Sequence, residues 1–444
     1  MGTMELLAPA GGMEQLRAAV LFGADAVYLA ADRFGMRARA ANFPLAQIPE
    51  AVAFAHSHGV KVHVTCNILM HDSDIAQLPD FFRALDAAGV DAFIIGDLGA
   101  FAIAGQVAPR VERHVSTQAS VANAEAAKVW HSLGAARVVC AREMSLADIA
   151  QMRRQIPDDL EIEAFVHGAM CMAVSGRCLI SSYLTGRSGN KGHCTQPCRW
   201  NYKVGAGAPG ASETAGEYLL EEEKRPGVFF PLEQDETGSF LMNAEDLNML
   251  PHLADLARAG VNSIKIEGRN KKAFYVASVV GAYRRVLDGE PWQQVAPELL
   301  DVSHRPYGTG FYFGEARQAV DYDGYEQQTM HVADVVACGD GKLYALARNR
   351  FEEGQALEAL VPGGAAAPVE VRNLCWLPAF GPDVHDEGAP ATVPEALDRT
   401  AADDWLPAPV ANRSCNLYRL DCPQPVPEGS FLRARVFRRS ARHG

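Results

Sequence analysis

A helix that ends at a glycine, followed within two or three residues by a short apolar strand, recurs along the first part of the chain. The joints lie at Gly23, Gly59, Gly89, Gly134 and Gly260. Glycine is favoured there because the residue that follows a helix commonly adopts the left-handed conformation. Strands that alternate with helices form parallel sheets, since parallel neighbours need a crossover connection. The repeat therefore predicts an α/β fold.

Eight strand candidates follow from this pattern. They are residues 6–10, 26–30, 61–66, 92–96, 112–117, 137–141, 161–167 and 263–267. Eight such units predict a TIM-like (β/α)8 barrel. An open, doubly wound sheet is the alternative, because it also contains nearly continuous apolar strands.

The remaining chain divides around this barrel. Nearly a hundred residues separate the seventh and eighth strand candidates, too many for a simple connection, which predicts an insertion at about 168–240. From about residue 331 the pattern changes to short strand-like runs separated by glycine turns. We therefore predict a barrel with a cysteine-bearing insertion over 1–287, a connecting segment over 288–330 and a small C-terminal β-barrel domain over 331–444.

Four of the ten cysteines lie close together in the predicted insertion: Cys171, Cys178, Cys194 and Cys198. Thiolates select zinc, copper(I) or iron–sulfur centres. The first pair is spaced too widely for the short knuckle of a zinc site, whereas an iron–sulfur cluster tolerates irregular spacing. The spacing favours a cluster, with zinc and unrelated structural or disulfide cysteines as the alternatives.

Composition limits the compartment and the partners. The sequence start has no signal-peptide pattern and no apolar run is long enough to span a bilayer, so we expect a cytoplasmic protein without a membrane partner. The formal net charge of −13 argues against a broadly basic surface, so any contact with nucleic acid requires a local patch. Arg433 and Arg435 form one candidate, because they share a face of a strand-like segment. A half-buried edge strand with solvated arginines is the alternative.

Active sites of TIM-type barrels lie at the carboxyl ends of the strands. Polar residues at the predicted strand ends are therefore candidate site residues: Asn67, Asp97, Gln118, Arg142, Glu143, His167, Glu267 and Arg269. Each also has a structural interpretation, such as a helix-entry charge for Arg142 and Glu143 or a packed, satisfied histidine for His167. The sequence lacks the zinc-helix, nucleophile-elbow and Walker motifs.

Several segments resemble the collagenase-like peptidase U32 family. They are L-L-A-P-A-G at 6–11, S-T-Q-A-S-V-A-N at 116–123, E-A-F-V-H-G-A-M-C-M-A-V-S-G-R-C at 163–178, G-H-C-T-Q-P-C-R-W at 192–200, S-I-K-I-E-G-R-N-K at 263–271 and S-H-R-P-Y-G-T-G at 303–310. Despite its name, the family is similar to a set of oxygen-independent hydroxylation proteins that carry an iron–sulfur cluster.

The resemblance implies hydroxylation of the tRNA wobble uridine to 5-hydroxyuridine, with prephenate as a co-substrate and a 4Fe-4S cluster held by the four cysteines. For that reaction, we predict catalytic roles for the strand-end residues Glu143, His167, Glu267 and Arg269. Substrate binding would fall to Asn67, Asp97, Gln118, Arg142, Lys265, Arg433 and Arg435. Partners would be tRNA and a protein that delivers electrons, sulfur or iron. A peptidase, or a hydroxylation protein acting on ribosomal RNA or a quinone precursor, remains the alternative.

Overall fold

The structure is a computed structural model of the 444-residue chain. It describes residues 4–36, 42–170, 245–314, 326–382 and 392–436. It also describes 181, 187, 193–197, 200, 202–206, 218–222, 229–232, 234–235, 238–239, 316, 384 and 390.

Eight parallel strands close into a barrel. They are β1 (Glu5–Pro9), β2 (Ala26–Leu29), β3 (Lys61–Cys66), β4 (Ala92–Ile95), β5 (Glu112–Val115), β6 (Arg137–Val139), β7 (Glu161–Ala169) and β14 (Ser263–Ile266). Each strand pairs with the next along the chain, and β14 pairs in parallel with both β7 and β1. This closure confirms the TIM-like barrel and rejects the open sheet.

Helices follow the strands and cover the barrel. They are α1 (Met13–Leu21), α2 (Ile48–Ser57), α3 (Asp72–Ile75), α4 (Leu78–Ala87), α5 (Leu98–Val107), α6 (Ala124–Ser132), α7 (Leu146–Arg153), α8 (Leu253–Ala259), α9 (Ala273–Leu287) and α10 (Trp292–Val295). All five predicted joint glycines have positive φ angles, between 74° and 97°. The glycines thus end their helices in the left-handed conformation that the sequence predicts.

Further strands lie between β7 and β14. They are β8 (Tyr202–Ala206), β9 (Tyr218–Glu222), β10 (Phe229–Leu232), β11 (Gln234–Asp235), β12 (Gly238–Ser239) and β13 (Asp246–Asn248). β8, β9 and β10 form an antiparallel sheet, and β11 pairs with β12. β13 joins the end of β7 in antiparallel register and pairs in parallel with β15 (Tyr307–Gly308). The barrel sheet is therefore extended by two short strands beside the end of β7.

The C-terminal region is a separate antiparallel sheet with its own apolar core. Its strands and helix are β16 (Thr329–Gly339), β17 (Lys342–Ala347), β18 (Phe351–Glu352), β19 (Ala356–Leu360), β20 (Ala367–Glu370), β21 (Cys375–Trp376), α11 (Val393–Arg399), β22 (Leu406–Pro407), β23 (Val410–Ala411), β24 (Leu417–Asp421) and β25 (Phe431–Arg435). Eight strands form the main sheet in the order β20-β19-β25-β16-β17-β24-β21-β22, while β18 pairs with β23.

A charged cluster lies inside the barrel, towards the start of its strands. The Glu163 carboxylate is fully buried and accepts hydrogen bonds from Lys265 Nζ at 2.8 Å and Arg137 Nη1 at 3.1 Å. Arg137 also donates to Glu5 and Glu161. Burial favours the neutral form of Lys265 and lowers its pKa, although the Glu163 charge opposes this effect. Lys265 is therefore part of an internal ion-pair network below the barrel mouth.

The structure places Arg433 in the interior of the small domain. Its strand, β25, lies between β16 and β19, and the side chain is almost fully buried against Asp301 Oδ2 at 2.8 Å and Glu358 Oε2 at 2.9 Å. Arg435 contacts the same two acids, but 45% of its side chain is exposed. The interpretation of a solvated edge strand is therefore wrong, and the prediction that Arg433 faces RNA conflicts with its burial.

Aromatic contacts join the small domain to the barrel. Phe431 packs against Phe22, which follows α1, and against Phe274 of α9, with ring centroids 6.0 and 6.1 Å apart. Arg348 of the small domain bonds Glu14 at the start of α1, at 3.0 Å.

Within the described ranges, no helix combines the length and apolar character that crossing a bilayer requires.

Candidate active site at the barrel mouth

The loop after β2 lies across the end of β3. The backbone N–H groups of Asn67 and Ile68 both donate to the carbonyl oxygen of Phe34, at 2.9 and 3.3 Å. The backbone N–H of Met36 donates in turn to Asn67 Oδ1 at 3.2 Å. Phe34 adopts a positive φ of 64°, and its ring packs edge-on against Phe81 of α4. These contacts hold residues 34–36 beside the C-terminal end of the barrel.

Three polar side chains from the ends of two strands, which are separated by β4 in the sheet, meet beneath this loop. Asn67 follows β3, whereas Ser116 and Gln118 follow β5. Asn67 Nδ2 donates to Gln118 Oε1 at 3.0 Å, and Ser116 Oγ donates to the same oxygen. Gln118 Nε2 points to the thioether of Met36, with 2.9 Å between nitrogen and sulfur. The structure therefore brings the predicted residues Asn67 and Gln118 into direct contact and adds Ser116 and Met36.

A second polar group lies across the ends of β6, β7 and β14. Arg142 Nη1 donates to the carbonyl oxygen of Ala169 at 2.8 Å, and Nη2 lies 3.4 Å from Glu267 Oε2. The guanidinium stacks over the Phe165 ring, 3.9 Å from its centroid. Stacking on an aromatic ring, together with contacts from two nitrogens to two different groups, fixes the orientation of an arginine. Arg142 and Glu267, both predicted, thus form one positioned ion pair at the mouth.

The chain geometry near Glu267 requires a glycine. Gly168 has a φ of 99°, and a Cβ built on it would lie 2.7 Å from the Glu267 carbonyl oxygen and 3.1 Å from its Cβ. Residues that carry a side chain rarely adopt this backbone conformation, and Glu267 already occupies the space that a Cβ at position 168 would need. The backbone of β7 therefore approaches β14 closely where Glu267 leaves the strand.

His167 lies apart from these groups. The register between β7 and β14 shifts near the strand ends, so that Phe165 pairs with Lys265 and His167 with Ile266. The imidazole packs against Tyr275 and Tyr283 of α9 and against Tyr307, with centroids 5.4–6.2 Å away.

Burial lowers the pKa of His167 to about 3, and the neighbouring charges of His304 and Lys271 act in the same direction. The ring is therefore neutral near pH 7. The contacts are those of a packed histidine, which is the structural alternative given above, and they conflict with the predicted catalytic role.

Arg269 reaches the mouth from the loop after β14. It is 5% exposed, and a Cβ built on Gly35 would lie 3.6 Å from its Nη1 and 2.5 Å from Ala30 Cβ. Thr65 of β3 lines the same space. The lack of a side chain at Gly35 thus lets the loop that carries Met36 pack closely against Ala30, with the buried Arg269 guanidinium alongside.

Two other predicted residues have different positions. Asp97 caps helix α5, because its side chain accepts a hydrogen bond from the backbone N–H of Ala100 at 2.9 Å. This is a structural role of the kind typical for aspartate at a helix start. Glu143 is exposed in the loop between β6 and α7.

Only one of the four predicted metal ligands lies in the described chain. Cys194 is half-buried with a free thiol, and its sulfur accepts a hydrogen bond from the Gln196 backbone N–H at 3.4 Å. Cys171, Cys178 and Cys198 lie outside the described residues. The described positions contain no group of three potential metal ligands.

Cys66, the last residue of β3, and Cys140, which directly follows β6, are both buried. Burial raises the pKa of Cys140 to about 12 and also raises that of Cys66. Both are therefore thiols rather than thiolates near pH 7, which suits a packing role.

Comparison with known proteins identifies the family. The model of peptidase family U32 matches residues 11–321, which include every barrel strand except β1. The chain belongs to peptidase family U32. The matched range contains both polar groups at the mouth and the predicted cysteine ligands.

Several named proteins are similar over most of this chain. The tRNA hydroxylation protein P of Escherichia coli (strain K12) is 36% identical over 402 residues, covering 81% of this chain and 86% of that protein. The tRNA hydroxylation protein P1 of Bacillus subtilis (strain 168) is 36% identical over 385 residues, covering 81% and 83%. A 23S rRNA 5-hydroxycytidine synthase of Escherichia coli is 36% identical over 285 residues, covering 64% of this chain and 39% of that protein.

Sequence reasoning missed Ser116 and Met36 as parts of the mouth. Ser116 lies in one of the family-like segments, two residues before Gln118, so its position beside a strand end was a usable signal. Met36 lies in a loop with no strand or helix pattern. Met36 lies over Gln118 because the backbone N–H groups of Asn67 and Ile68 donate to the carbonyl oxygen of Phe34 and so hold this loop in place. No local sequence pattern encodes these contacts.

Proposed function

We propose that this protein hydroxylates RNA without molecular oxygen and that its substrate is the wobble uridine of tRNA, which becomes 5-hydroxyuridine. The observation that carries the proposal is the similarity to two proteins named for tRNA hydroxylation, each 36% identical over 81% of this chain. A third relative, named for synthesis of 5-hydroxycytidine in ribosomal RNA, supports the broader class of pyrimidine hydroxylation. The proposal places the protein in the cytoplasm with its tRNA substrate.

The barrel mouth contains the polar groups that such a substrate needs. A base must leave its stack before an enzyme can reach its ring atoms, and the extruded base is then held by hydrogen bonds to its edge. The amide nitrogen of Gln118 offers such a bond, since its partner among the described residues is the weakly accepting Met36 thioether. Arg269 offers a guanidinium on the same side of the mouth, and guanidinium groups suit phosphate. The positioned Arg142–Glu267 pair lies across the other strand ends.

The proposal includes an iron–sulfur cluster of the 4Fe-4S type, held by Cys171, Cys178, Cys194 and Cys198. The free thiol of Cys194 fits a ligand role, because hydrogen bonds from backbone N–H groups to sulfur are among the contacts that tune such clusters. When bound, the cluster would supply one-electron chemistry. Prephenate is the proposed co-substrate, and a partner protein would deliver electrons or the cluster.

Nucleoside analysis tests the reaction. A strain lacking the gene is complemented with the wild-type chain, with Cys194→Ala or with Cys375→Ala, and tRNA nucleosides are measured by mass spectrometry. Cys375 is a half-buried free cysteine of the small domain and serves as the matched control. We expect 5-hydroxyuridine with the wild type and Cys375→Ala but not with Cys194→Ala. Failure of the wild type to restore the nucleoside would reject the proposed reaction.

Metal analysis tests the cofactor separately. Protein purified without oxygen is assayed for iron and acid-labile sulfide. The wild type and Cys375→Ala should contain both, and Cys194→Ala should lose most of each. A colourless protein loaded with zinc would contradict the cluster while leaving the RNA assay to decide the substrate.

The family name makes peptidase activity the second candidate. A cysteine peptidase needs a thiolate and a nearby base. Cys66 and Cys140 are buried thiols, and His167 is buried among tyrosines with a pKa of about 3. None of these three groups suits that mechanism. Cleavage of gelatin by wild type and Cys194→Ala alike would favour the peptidase.

A further inference from the structure

The orientation of the Gln118 amide is fixed by a chain of hydrogen bonds. The chain starts at the backbone N–H of Met36, which can only donate, and Asn67 Oδ1 accepts from it. Asn67 must then present its NH2 group to Gln118 Oε1, at 3.0 Å. Ser116 Oγ donates to the same oxygen. Oxygen and nitrogen of a side-chain amide are usually assigned by inference, but here the backbone donor removes the ambiguity.

Gln118 therefore presents its amino group to the mouth. Among the described residues, the hydrogen-bond partner of Nε2 is the Met36 thioether, 2.9 Å away. A thioether is a weak acceptor, whereas an amide NH2 group has two good donors. The side chain of Gln118 is only half-buried, so a ligand can reach it. Methionine is flexible and readily moves aside.

Glycines pack closely around this donor. A Cβ built on Gly96 would lie 3.2 Å from Gln118 Cβ and 3.8 Å from Ser116 Cβ, so the backbone after β4 approaches the Gln118 side chain closely. A Cβ built on Gly35, next to Met36, would lie 2.5 Å from Ala30 Cβ and 3.6 Å from Arg269 Nη1. Gln118 and the Arg269 guanidinium therefore both lie beside the loop that carries Met36.

We propose that Gln118 determines which pyrimidine the site accepts, by donating a hydrogen bond to the 4-carbonyl oxygen of uracil. This inference rests on the proposed function. Uracil presents an acceptor at position 4, whereas cytosine presents an amino donor there. Two donors facing each other leave both without a partner, and a site built around one hydrogen bond discriminates strongly against an analogue that cannot form it. The fixed amide orientation therefore favours uridine over cytidine.

Substitution of Gln118 by glutamate reverses the polarity with little change of shape, because a carboxylate accepts but does not donate. Substitution by methionine removes the donor and adds no acceptor. Gln155→Glu provides the matched control. Gln155 is an exposed glutamine just after α7, and its side-chain amide donates to the backbone carbonyl of Gln151 within α7.

The test compares two RNA hairpins that differ only in a uridine or cytidine at the modified loop position. Their dissociation constants are measured by fluorescence anisotropy with the anaerobically purified holoprotein. Wild type and Gln155→Glu should bind the uridine hairpin roughly 10-fold more tightly, since each tenfold corresponds to about 1.4 kcal/mol and one hydrogen bond contributes about that much. Gln118→Met should bring the ratio close to one, and Gln118→Glu should favour cytidine.

A ratio that is unchanged in Gln118→Met or Gln118→Glu would overturn the inference. Thermal midpoints equal to that of the wild type establish that the variants fold. Binding ratios do not depend on turnover, so they decide this inference separately from the nucleoside assay, which decides the proposed reaction. Should the uridine preference disappear in the variants while deletion leaves tRNA nucleosides unchanged, the specificity role would stand and the reaction would be rejected.

Discussion

Replacing Glu163 by glutamine should destabilise the protein strongly. The carboxylate is fully buried and bonds both Lys265 at 2.8 Å and Arg137 at 3.1 Å. Removing one partner of a buried ion pair costs about 3–5 kcal/mol, because the remaining charge is left in a poorly solvating environment. Lys265 can relieve part of this cost by losing its proton, since burial already lowers its pKa. We therefore expect a loss of about 3 kcal/mol.

Glu161→Gln is the matched control. Glu161 lies on the same strand and contacts the same arginine, with 2.6 Å between Arg137 Nη2 and Glu161 Oε2, but 44% of its side chain is exposed. Exposed pairs contribute about 0–1 kcal/mol. Urea unfolding followed by circular dichroism gives both differences, provided that the slope with denaturant is unchanged. Equal losses in the two variants, or a loss below about 1 kcal/mol for Glu163→Gln, would refute the reasoning from burial.

Three further outcomes follow from the same contacts. Burial would raise the pKa of Glu163, but the charges of Lys265 and Arg137 hold that pKa below its ordinary value of 4.5. The Glu163 carboxylate therefore contributes fully to stability above pH 4.5, and this contribution is lost as the pH falls through the lowered pKa of the folded state. Urea titrations below pH 4.5 should accordingly show a shrinking gap between wild type and Glu163→Gln, and a constant gap would contradict the assigned direction. Arg433→Met should lower the free energy of unfolding in urea by about 3 kcal/mol and leave the affinity for tRNA unchanged. Arg435→Met, at a half-exposed position, should lower it by about 1 kcal/mol or less. Weaker tRNA binding by folded Arg433→Met would support a role of Arg433 in RNA contact. Gly168→Ala should lower the free energy of unfolding by about 1–2 kcal/mol through the left-handed backbone conformation alone. It should also reduce the level of 5-hydroxyuridine, because the added Cβ displaces Glu267. Wild-type levels of the nucleoside in this variant would argue against that displacement.

The two polar groups at the mouth differ in how firmly they are held. Arg142 is fixed by a backbone carbonyl, a carboxylate and an aromatic face. Gln118 is fixed at its oxygen, but its nitrogen faces a replaceable thioether. The first arrangement suits a constant framework, whereas the second suits a position where substrate takes the place of a protein group.

Much of the candidate site was predictable because strand ends are predictable. Asn67, Gln118, Arg142 and Glu267 all follow strands whose apolar pattern is visible in the sequence, and parallel strands deliver their ends to one edge. His167 also lies near the end of a strand that is visible in the sequence, but its side chain packs away from the other predicted site residues. The register shift between β7 and β14 accompanies its packing against α9, and such a shift depends on the partner strand rather than on local residues.

The sequence by itself determined the alternation of strands and helices, because glycine joints and apolar periodicity act over a few residues and specify each strand–helix unit locally. Closure into a barrel depends on the pairing of β14 with both β7 and β1, which are distant in the chain. Only the tertiary structure decided which polar side chains are used where. The two arginines of the last strand share a face and a charge, yet one is buried against Asp301 and the other is half-exposed. Burial, ion pairing and amide orientation all depend on groups distant in the chain, so they arise only once the strands and domains have packed together.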